Sequence, residues 1–307
     1  MANDTFGQIW NRVILYAPDL PPVLAQEFVK QTYSDVVRSH YWSELRRDSE
    51  VLLPNLVSAG TITVTHGSPT VTGSGTGWTS AIQYRQLAVN NIAPWYTINS
   101  VTLAPDIATL DRNYEGISGS YPYIIGQFYV DFPTDLMVLE KVRDQMNGWY
   151  LVTHWYTQDY IDRVDSKRMS AGTPVIVVAA PSRTATDGTV IPRYEFWPRV
   201  QAEKMYQYRY RSLPELNSNS DRIMEVLNPQ VLVFGALAQA AMWPGVSSKP
   251  NPFFNQQTFE TYSKMYEEAL QQSVLVDENR DQQMVKIGDD LQRRFPFDAK
   301  YLQDHIW

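Results

Sequence analysis

The feature that most constrains the fold of this chain is the spacing of its apolar residues, which changes twice along the sequence. Near the N-terminus apolar residues recur every three or four positions, from about Gly60 they alternate with polar residues, and from about Asn228 the helical spacing returns. Helices repeat every 3.6 residues and strands every two. This order therefore predicts helices at both ends of the chain with strands between them.

Two helices are predicted at the N-terminus. The first follows Asp4 and Thr5, whose side chains can cap it, and its apolar face is Phe6, Ile9, Trp10, Val13 and Ile14. After a proline-containing break, a second, long amphipathic helix begins near Leu24 and its apolar stripe ends near Leu45. We assign residues 1–57 to the N-terminal helices of a helical core.

Strand-like alternation begins with residues 61–65 and resumes at residues 70–72, which is the pattern of a hairpin. We interpret residues 58–131 as an inserted β-domain. Residues 132–280 are predicted to be a β-rich middle followed by C-terminal helices that complete the core. Within them, Asp187-Gly188 predicts a hairpin turn, and Asn228-Pro229 predicts the start of an apolar helix.

The last segment, residues 281–307, differs from the rest because its aromatic residues stand among charges of both signs. Such a segment cannot bury a core of its own, so we predict an extended tail that becomes ordered on a partner. The predicted fold class is α+β: a helical bundle formed by the N- and C-terminal segments, with an inserted all-β domain and an extended C-terminal tail.

Composition narrows the possible functions. The net charge of -7, with 26 basic and 33 acidic residues, argues against a nucleic-acid-binding protein. The sequence has no cysteine, which removes disulfides, thiolate nucleophiles and Cys-ligated zinc, and suits synthesis in a reducing cytoplasm. No stretch approaches the roughly 18 consecutive apolar residues of a membrane helix, so we predict no membrane partner.

Candidate chemical motifs are weak. The Gly73–Gly77 run lacks the lysine of a phosphate-binding loop and is predicted to be a turn. The histidines are far apart in sequence, at His40, His66, His154 and His305, which does not suit a zinc site. Carboxylate pairs such as Asp159/Asp162, Glu267/Glu268 and Asp289/Asp290 are predicted to be solvated. We therefore predict no enzyme activity, no catalytic residue, no cofactor and no metal.

The order of these pieces resembles the head-to-tail adaptor (connector) proteins of tailed bacteriophages. The resemblance covers most of the chain. It rests on the sequences HYWSEL at 40–45, GTITVT at 60–65, TVTGSGTGW at 70–78, YEFWP at 194–198, YRYRSLPEL at 208–216 and LVFGALA at 232–238.

The resemblance implies a structural protein of the virion, located at the neck below the capsid vertex and made in the host bacterial cytoplasm. It implies a homo-oligomeric ring, typically of 12 copies, that binds the portal protein and a downstream tail or nozzle protein and lets genomic DNA pass without specific contacts. In such adaptors the C-terminal segment docks on the portal. The corresponding portal-binding residues of this chain would be Arg294, Phe295, Phe297, Tyr301 and Trp307.

Three alternatives remain open at this stage. The chain could be a tail tube, nozzle or stopper ring protein, which would not contact the portal directly. It could instead be a glycan-binding tail protein that stacks sugars on Trp78, Trp95 and Tyr96. Lastly, the alternating Tyr206, Tyr208 and Tyr210 could stack the bases of single-stranded nucleic acid, although the acidic composition argues against this.

Overall fold

The structure is a computed structural model that describes residues 4–246 and 249–294. The chain divides into two compact units. Residues 1–46 and 213–307 form one, which we call the helical unit, and residues 47–212 form the other, which we call the β unit.

The described residues form five helices and sixteen strands. The helices are α1 (Phe6–Tyr16), α2 (Pro22–Ser39), α3 (Gln158–Val164), α4 (Pro229–Met242) and α5 (Gln256–Arg294). The strands are β1 (Arg46–Leu53), β2 (Thr61–Val64), β3 (Thr70–Ser74), β4 (Gln86–Val89), β5 (Trp95–Leu103), β6 (Asp106–Leu110), β7 (Gly119–Tyr121), β8 (Tyr123–Gly126), β9 (Tyr129–Asp131), β10 (Leu136–Asp144), β11 (Tyr150–Leu151), β12 (Ile176–Thr184), β13 (Val190–Trp197), β14 (Lys204–Ser212), β15 (Gly245–Val246) and β16 (Lys249–Pro250).

The helical unit begins with a capped helix, as the sequence predicts. Thr5 accepts a hydrogen bond from the backbone N–H of Gln8 at 3.4 Å, and the Gln8 side chain accepts one from the Thr5 backbone at 2.9 Å. This capping box satisfies two N–H groups that a helix start leaves unpaired. Phe6, Ile9 and Val13 then turn toward the core.

Helix α4 lies at the centre of this unit. Asn228 caps it by accepting a hydrogen bond from Gln230 N at 3.0 Å, and Pro229 occupies its first turn. The helix is buried on nearly all sides, and the apolar faces of α1, α2 and α5 share one core with it. At Gly235 the helices approach so closely that a Cβ atom would lie 2.4 Å from Thr32 Cγ2, so only glycine fits there.

A buried carboxylate fastens α5 to the end of α2. Asp277 accepts hydrogen bonds from the Ser43 hydroxyl and from the Ser43 backbone N–H, the latter at 3.0 Å. His40 Nε2 lies 3.3 Å from the same carboxylate. Asp277 is the last buried residue among the described side chains of α5, so these contacts fix this part of the helix in place.

The β unit contains a curled, seven-stranded antiparallel sheet with the order β7-β2-β3-β6-β5-β4-β8. The hairpin predicted from residues 61–72 is present as β2 and β3. Trp78 belongs to the core of this sheet, and its indole N–H donates to the Tyr123 hydroxyl at 2.9 Å.

Two smaller sheets complete the unit. One has the order β1-β14-β10-β11 and the other β12-β13-β9. They share a core of aliphatic and aromatic side chains that includes Val142, Val177, Phe196 and Tyr206. The predicted turn at Asp187-Gly188 joins β12 to β13, and Gly188 has a φ of 86°.

The predicted fold, a helical bundle with one inserted all-β domain at 58–131 and an extended tail, is wrong. The protein is mostly β-sheet, and strands run from β1 to β14 on both sides of the predicted insert. The reason is non-local pairing: Asp48 on β1 meets Arg209 on β14, 161 positions later. In addition, α5 continues through Arg294, where an extended segment was predicted from residue 281.

Candidate functional site

A run of aromatic side chains lies exposed on the β unit between Gly148 and α3. We call residues 149–160 the aromatic segment. Trp155 is 88% exposed, Trp149 67% and Tyr150 58%, and both Tyr156 and Tyr160 are more than one-third exposed. Exposing this much aromatic surface is costly in water, so it usually marks a binding surface.

A tight turn leads into the aromatic segment. The buried carboxylate of Asp144 accepts hydrogen bonds from Met146 N at 2.9 Å, Asn147 N at 3.2 Å and Asn147 Nδ2 at 2.8 Å. Burial acts to raise the pKa of Asp144, but these hydrogen bonds and the nearby Lys204 ammonium outweigh it, so the pKa lies below its usual range. The carboxylate is therefore ionised at neutral pH and holds the turn.

The C-terminal part of the aromatic segment leads into α3. The rings of Tyr156 and Tyr160 lie 4.3 Å apart between centroids, at 33° to each other. On the opposite side of α3, Ile161 is fully buried together with Ile176 and Val178 of β12. The helix is thus amphipathic, with one aromatic face turned outward.

Buried charges beneath α3 fix its position. Glu195, which is fully buried, pairs with Arg168 and also accepts a hydrogen bond from Gln158 Nε2 at 3.1 Å. Arg168 Nη2 lies 2.6 Å from Asp162, so the guanidinium joins α3 to β13. These contacts cross-link α3 to the sheet, so Tyr160 is carried by an anchored helix.

Asp165 completes this support just after α3. It accepts hydrogen bonds from Ser170 N at 2.8 Å, Met169 N at 3.0 Å and the Trp197 indole N–H at 3.2 Å. Burial acts to raise the pKa of Asp165, but the hydrogen bonds prevail and lower it. Like Asp144, it is a structural anion whose acceptor positions are already in use.

The tentative portal-binding residues are not brought together in the described part of the chain. Arg294 is the last residue of α5, and Phe295, Phe297, Tyr301 and Trp307 lie outside the described residues. Their role stays a prediction.

The predicted sugar-stacking residues are not available as a surface. Trp78 is 5% exposed and Tyr96 1%, because both belong to the core of the seven-stranded sheet. Trp95 is half-buried, its indole N–H donates to the Lys167 carbonyl at 2.8 Å, and the Arg199 guanidinium lies 5.2 Å from its ring centroid. Protein atoms occupy the places where a sugar would stack.

The proposed base-stacking tyrosines are also buried. Tyr206, Tyr208 and Tyr210 belong to the core that the two smaller sheets share. They alternate on β14 because they form one row that faces the core, so they do not form an exposed surface on which bases could stack. That prediction is wrong because strand alternation alone does not tell which face is covered.

The remaining candidate motifs form turns or hydrogen bonds within the protein. The Gly73–Gly77 run ends β3 and turns, with Gly75 and Gly77 at positive φ and Thr76 donating to Asp106 Oδ2 at 2.6 Å. His66 and His154 contact backbone carbonyls, and His305 lies outside the described residues. Among the described residues no group of three or more His, Cys, Asp or Glu side chains is placed to hold a metal ion.

Sequence reasoning missed the aromatic segment, which it included in the β-rich middle of residues 132–280 without recognising an exposed surface. The sequence did contain a signal, which was the high density of aromatic residues. Five of the twelve residues from Trp149 to Tyr160 are Trp or Tyr, and their spacing does not match the period of a buried helix or strand. Aromatic residues without periodicity cannot all face one core. Some of them must therefore face solvent or a partner.

Comparison with protein-family models and with curated proteins finds no significant match for this chain. In the residues that the structure describes, none of the helices is long and apolar enough to span a membrane.

Proposed function

We propose that this protein is a structural head-to-tail adaptor of a tailed bacteriophage. It assembles as a ring of identical subunits below the portal protein and continues the DNA channel toward the tail. The observation that carries the proposal is the aromatic segment, whose Trp and Tyr side chains face outward beside the anchored helix α3. The resemblance of the sequence to adaptors supplies the identity of the assembly.

Exposed Trp and Tyr suit a protein partner for a physical reason. They bury a large area at little cost in side-chain entropy, and their polar ends keep hydrogen bonds at a wet interface. They are also the residues that most often dominate the binding energy of interfaces. The ion pairs of Arg168 anchor α3, which carries Tyr160, before binding, and this lowers the entropic cost of association.

The proposal divides the contacts between two regions. The C-terminal residues Arg294, Phe295, Phe297, Tyr301 and Trp307 bind the portal, and the aromatic segment binds the downstream tail or nozzle protein. The acidic net charge favours a channel wall that repels DNA, so that the genome passes without being held.

Electron microscopy of the full chain mixed with purified portal rings tests the assembly. We expect a stacked double ring. Portal rings that remain single at saturating concentrations of the chain would contradict the proposal.

Two variants separate the contacts. Deletion of residues 290–307 is expected to abolish co-sedimentation with portal, whereas Trp155→Ala/Tyr156→Ala is expected to retain portal and to weaken binding of the tail protein at least about tenfold, the loss of one hot spot. Ile117→Ala, which also removes an exposed apolar side chain from the β unit, is the matched control and should bind both partners normally.

A second candidate is favoured by the same exposed rings. The Trp155 indole could stack on the apolar face of a sugar ring, as in a glycan-binding tail protein. A glycan array distinguishes the two. Saturable sugar binding that Trp155→Ala removes, with no double ring on portal, would favour the glycan-binding protein. A tail tube, nozzle or stopper ring is distinguished by its failure to bind portal directly.

A further inference from the structure

The turn that leads into the aromatic segment contains the one Asn-Gly pair of the sequence, Asn147 and Gly148. Both residues are exposed, and Gly148 has a φ of 72°. Asparagine is a chemically labile residue, and it is most labile before glycine, because glycine has no side chain to shield its backbone nitrogen. The sequence therefore makes this turn the place where deamidation is expected.

Deamidation of an Asn-Gly pair needs no reagent other than water. The backbone nitrogen of Gly148 loses its proton and forms a bond to Cγ of Asn147. The amide nitrogen of Asn147 takes up a proton and leaves as ammonia, which gives a cyclic imide. Water then opens the imide at either of its carbonyl groups. The product is aspartate or isoaspartate at position 147, so a neutral amide becomes a carboxylate.

The folded turn holds both reacting groups away from this reaction. The Gly148 N–H donates to the Asp144 carbonyl oxygen at 2.8 Å, so the attacking nitrogen is already engaged. The Asn147 side-chain nitrogen donates to Asp144 Oδ2 at 2.8 Å, and that carboxylate is buried. Attack requires both of these hydrogen bonds to break, which is a local opening of the turn.

The product of deamidation does not suit the same turn. A carboxylate at position 147 cannot donate to Asp144, and it places a second negative charge within hydrogen-bond distance of the first. The Lys204 ammonium, 3.4 Å from Asp144 Oδ2, offsets one of the two charges. Asp144 N also donates to the Trp149 carbonyl oxygen at 2.8 Å, so opening of the turn loosens the start of the aromatic segment.

We propose that Asn147 is a latent deamidation site that the Asp144 turn protects while it is closed, and that deamidation opens the turn and loosens the aromatic segment. The modification couples the chemical age of a molecule to the order of its candidate binding surface. This inference does not depend on the adaptor function, because it needs only the turn and water.

Ageing of the natural sequence tests the protection. The full chain is kept at mildly alkaline pH, either folded or unfolded in urea, and peptide mass spectrometry measures the deamidation of Asn147. We expect the reaction to be at least about tenfold slower in the folded chain, because the turn must open first. Equal rates in the two states would overturn the proposal without the use of any variant.

Asp144→Asn tests the role of the carboxylate. The variant keeps one acceptor oxygen and loses the oxygen that holds Asn147 Nδ2. Asn147 should then deamidate at least about tenfold faster than in the folded natural sequence, which corresponds to the loss of a hydrogen bond to a charged group. Deamidation of Asn99, an exposed asparagine of β5, is the internal control and should not change. An unchanged rate at Asn147 in the folded variant would contradict the proposed protection.

Asn147→Asp copies the aspartate product and tests the consequence without ageing. Hydrogen exchange of the backbone amides of residues 145–151 should be at least about tenfold faster than in the natural sequence, because the two carboxylates repel. Asn147→Ala, which removes the donor without adding a charge, is the matched control and should accelerate exchange less. Exchange as slow as in the natural sequence, or equal exchange in the two variants, would overturn the proposed opening of the turn.

Discussion

The two units of this protein are stabilised in different ways. The helical unit has one continuous apolar core around α4, and Asp277 is the buried charged group among its described side chains. The β unit divides its apolar residues among three clusters and buries several charged side chains, namely Arg85, Asp144, Glu195, Arg199 and Arg211. Apolar burial therefore maintains the first unit, while paired charges and hydrogen bonds position the parts of the second.

This difference explains where the candidate surfaces lie. A buried ion pair adds little net stability compared with apolar residues, but it fixes geometry. The β unit uses such a pair, Arg168 and Glu195, beside α3, and it displays the aromatic segment. The polar contacts of the β unit position its surface side chains precisely. They also make its stability more sensitive to mutation and to acid.

The largest expected effect is on a buried charge of the β unit. Glu195→Gln removes the buried carboxylate partner of Arg168, which keeps its exposed partner Asp162, and this should lower the free energy of unfolding by about 4 kcal/mol. Chemical denaturation combined with hydrogen exchange checks this. Exchange should accelerate in α3 and β13 and not in α1 or α4; equal acceleration in both units would contradict the comparison.

The next largest effect is on the core of the helical unit. Leu237 is fully buried, so Leu237→Ala should create a cavity and lower the free energy of unfolding by about 3 kcal/mol. Leu275→Ala on the exposed face of α5 is the matched control and should change it by less than about 0.5 kcal/mol. Similar losses in both variants would show that the core is not centred on α4.

Acid should affect the β unit first. Among the side chains that the structure describes, the aspartates whose pKa is lowered all lie there: Asp48, Asp144, Asp165 and Asp187. A lowered pKa stabilises the folded state fully above the unfolded value of about 4, and this stabilisation is lost as the pH falls through the folded value.

Denaturation of the full chain at pH 6 and at pH 3 measures this loss of stability. Hydrogen exchange reports it separately for the amides of each unit. The β unit should lose more stability than the helical unit. Asp144→Asn/Asp165→Asn should show a weaker pH dependence than the natural sequence, and an unchanged dependence would mean that other groups are responsible.

The smallest expected changes in the free energy of unfolding concern one buried tyrosine in each unit. The Tyr206 hydroxyl in the β unit is buried and has no hydrogen-bond partner in the described part of the chain, so Tyr206→Phe should raise the free energy of unfolding by about 1 kcal/mol. In the helical unit, burial and the nearby Glu44 raise the pKa of Tyr33 to about 12, although the Met224 backbone N–H, which donates to the Tyr33 hydroxyl oxygen, acts to lower it.

Tyr33→Phe should therefore lower the free energy of unfolding by about 1 kcal/mol. Thermal unfolding of the two variants measures both changes. Changes of the same sign would show that the Tyr206 hydroxyl has an acceptor, such as an ordered water molecule.

Prediction from sequence succeeded where structure depends on neighbouring residues. The caps Thr5 and Asn228, the hairpin of β2 and β3, and the turn at Gly188 were all predicted, and the structure confirms each of them. Each depends on hydrogen bonds or dihedral angles within a few residues, which the local sequence specifies.

Tertiary structure alone decided the fold class and the candidate surfaces. Pairing of β1 with β14 joins distant segments and made the β unit larger than the predicted insert. Packing buried Trp78 and exposed Trp155, although both are tryptophans in strand-rich sequence. A charged cleft lined by Lys141, Arg143 and Arg209 likewise exists only because β1, β10 and β14 are adjacent. Residue type and periodicity fix which side chains favour burial, but the partner that covers each face depends on contacts between distant parts of the chain.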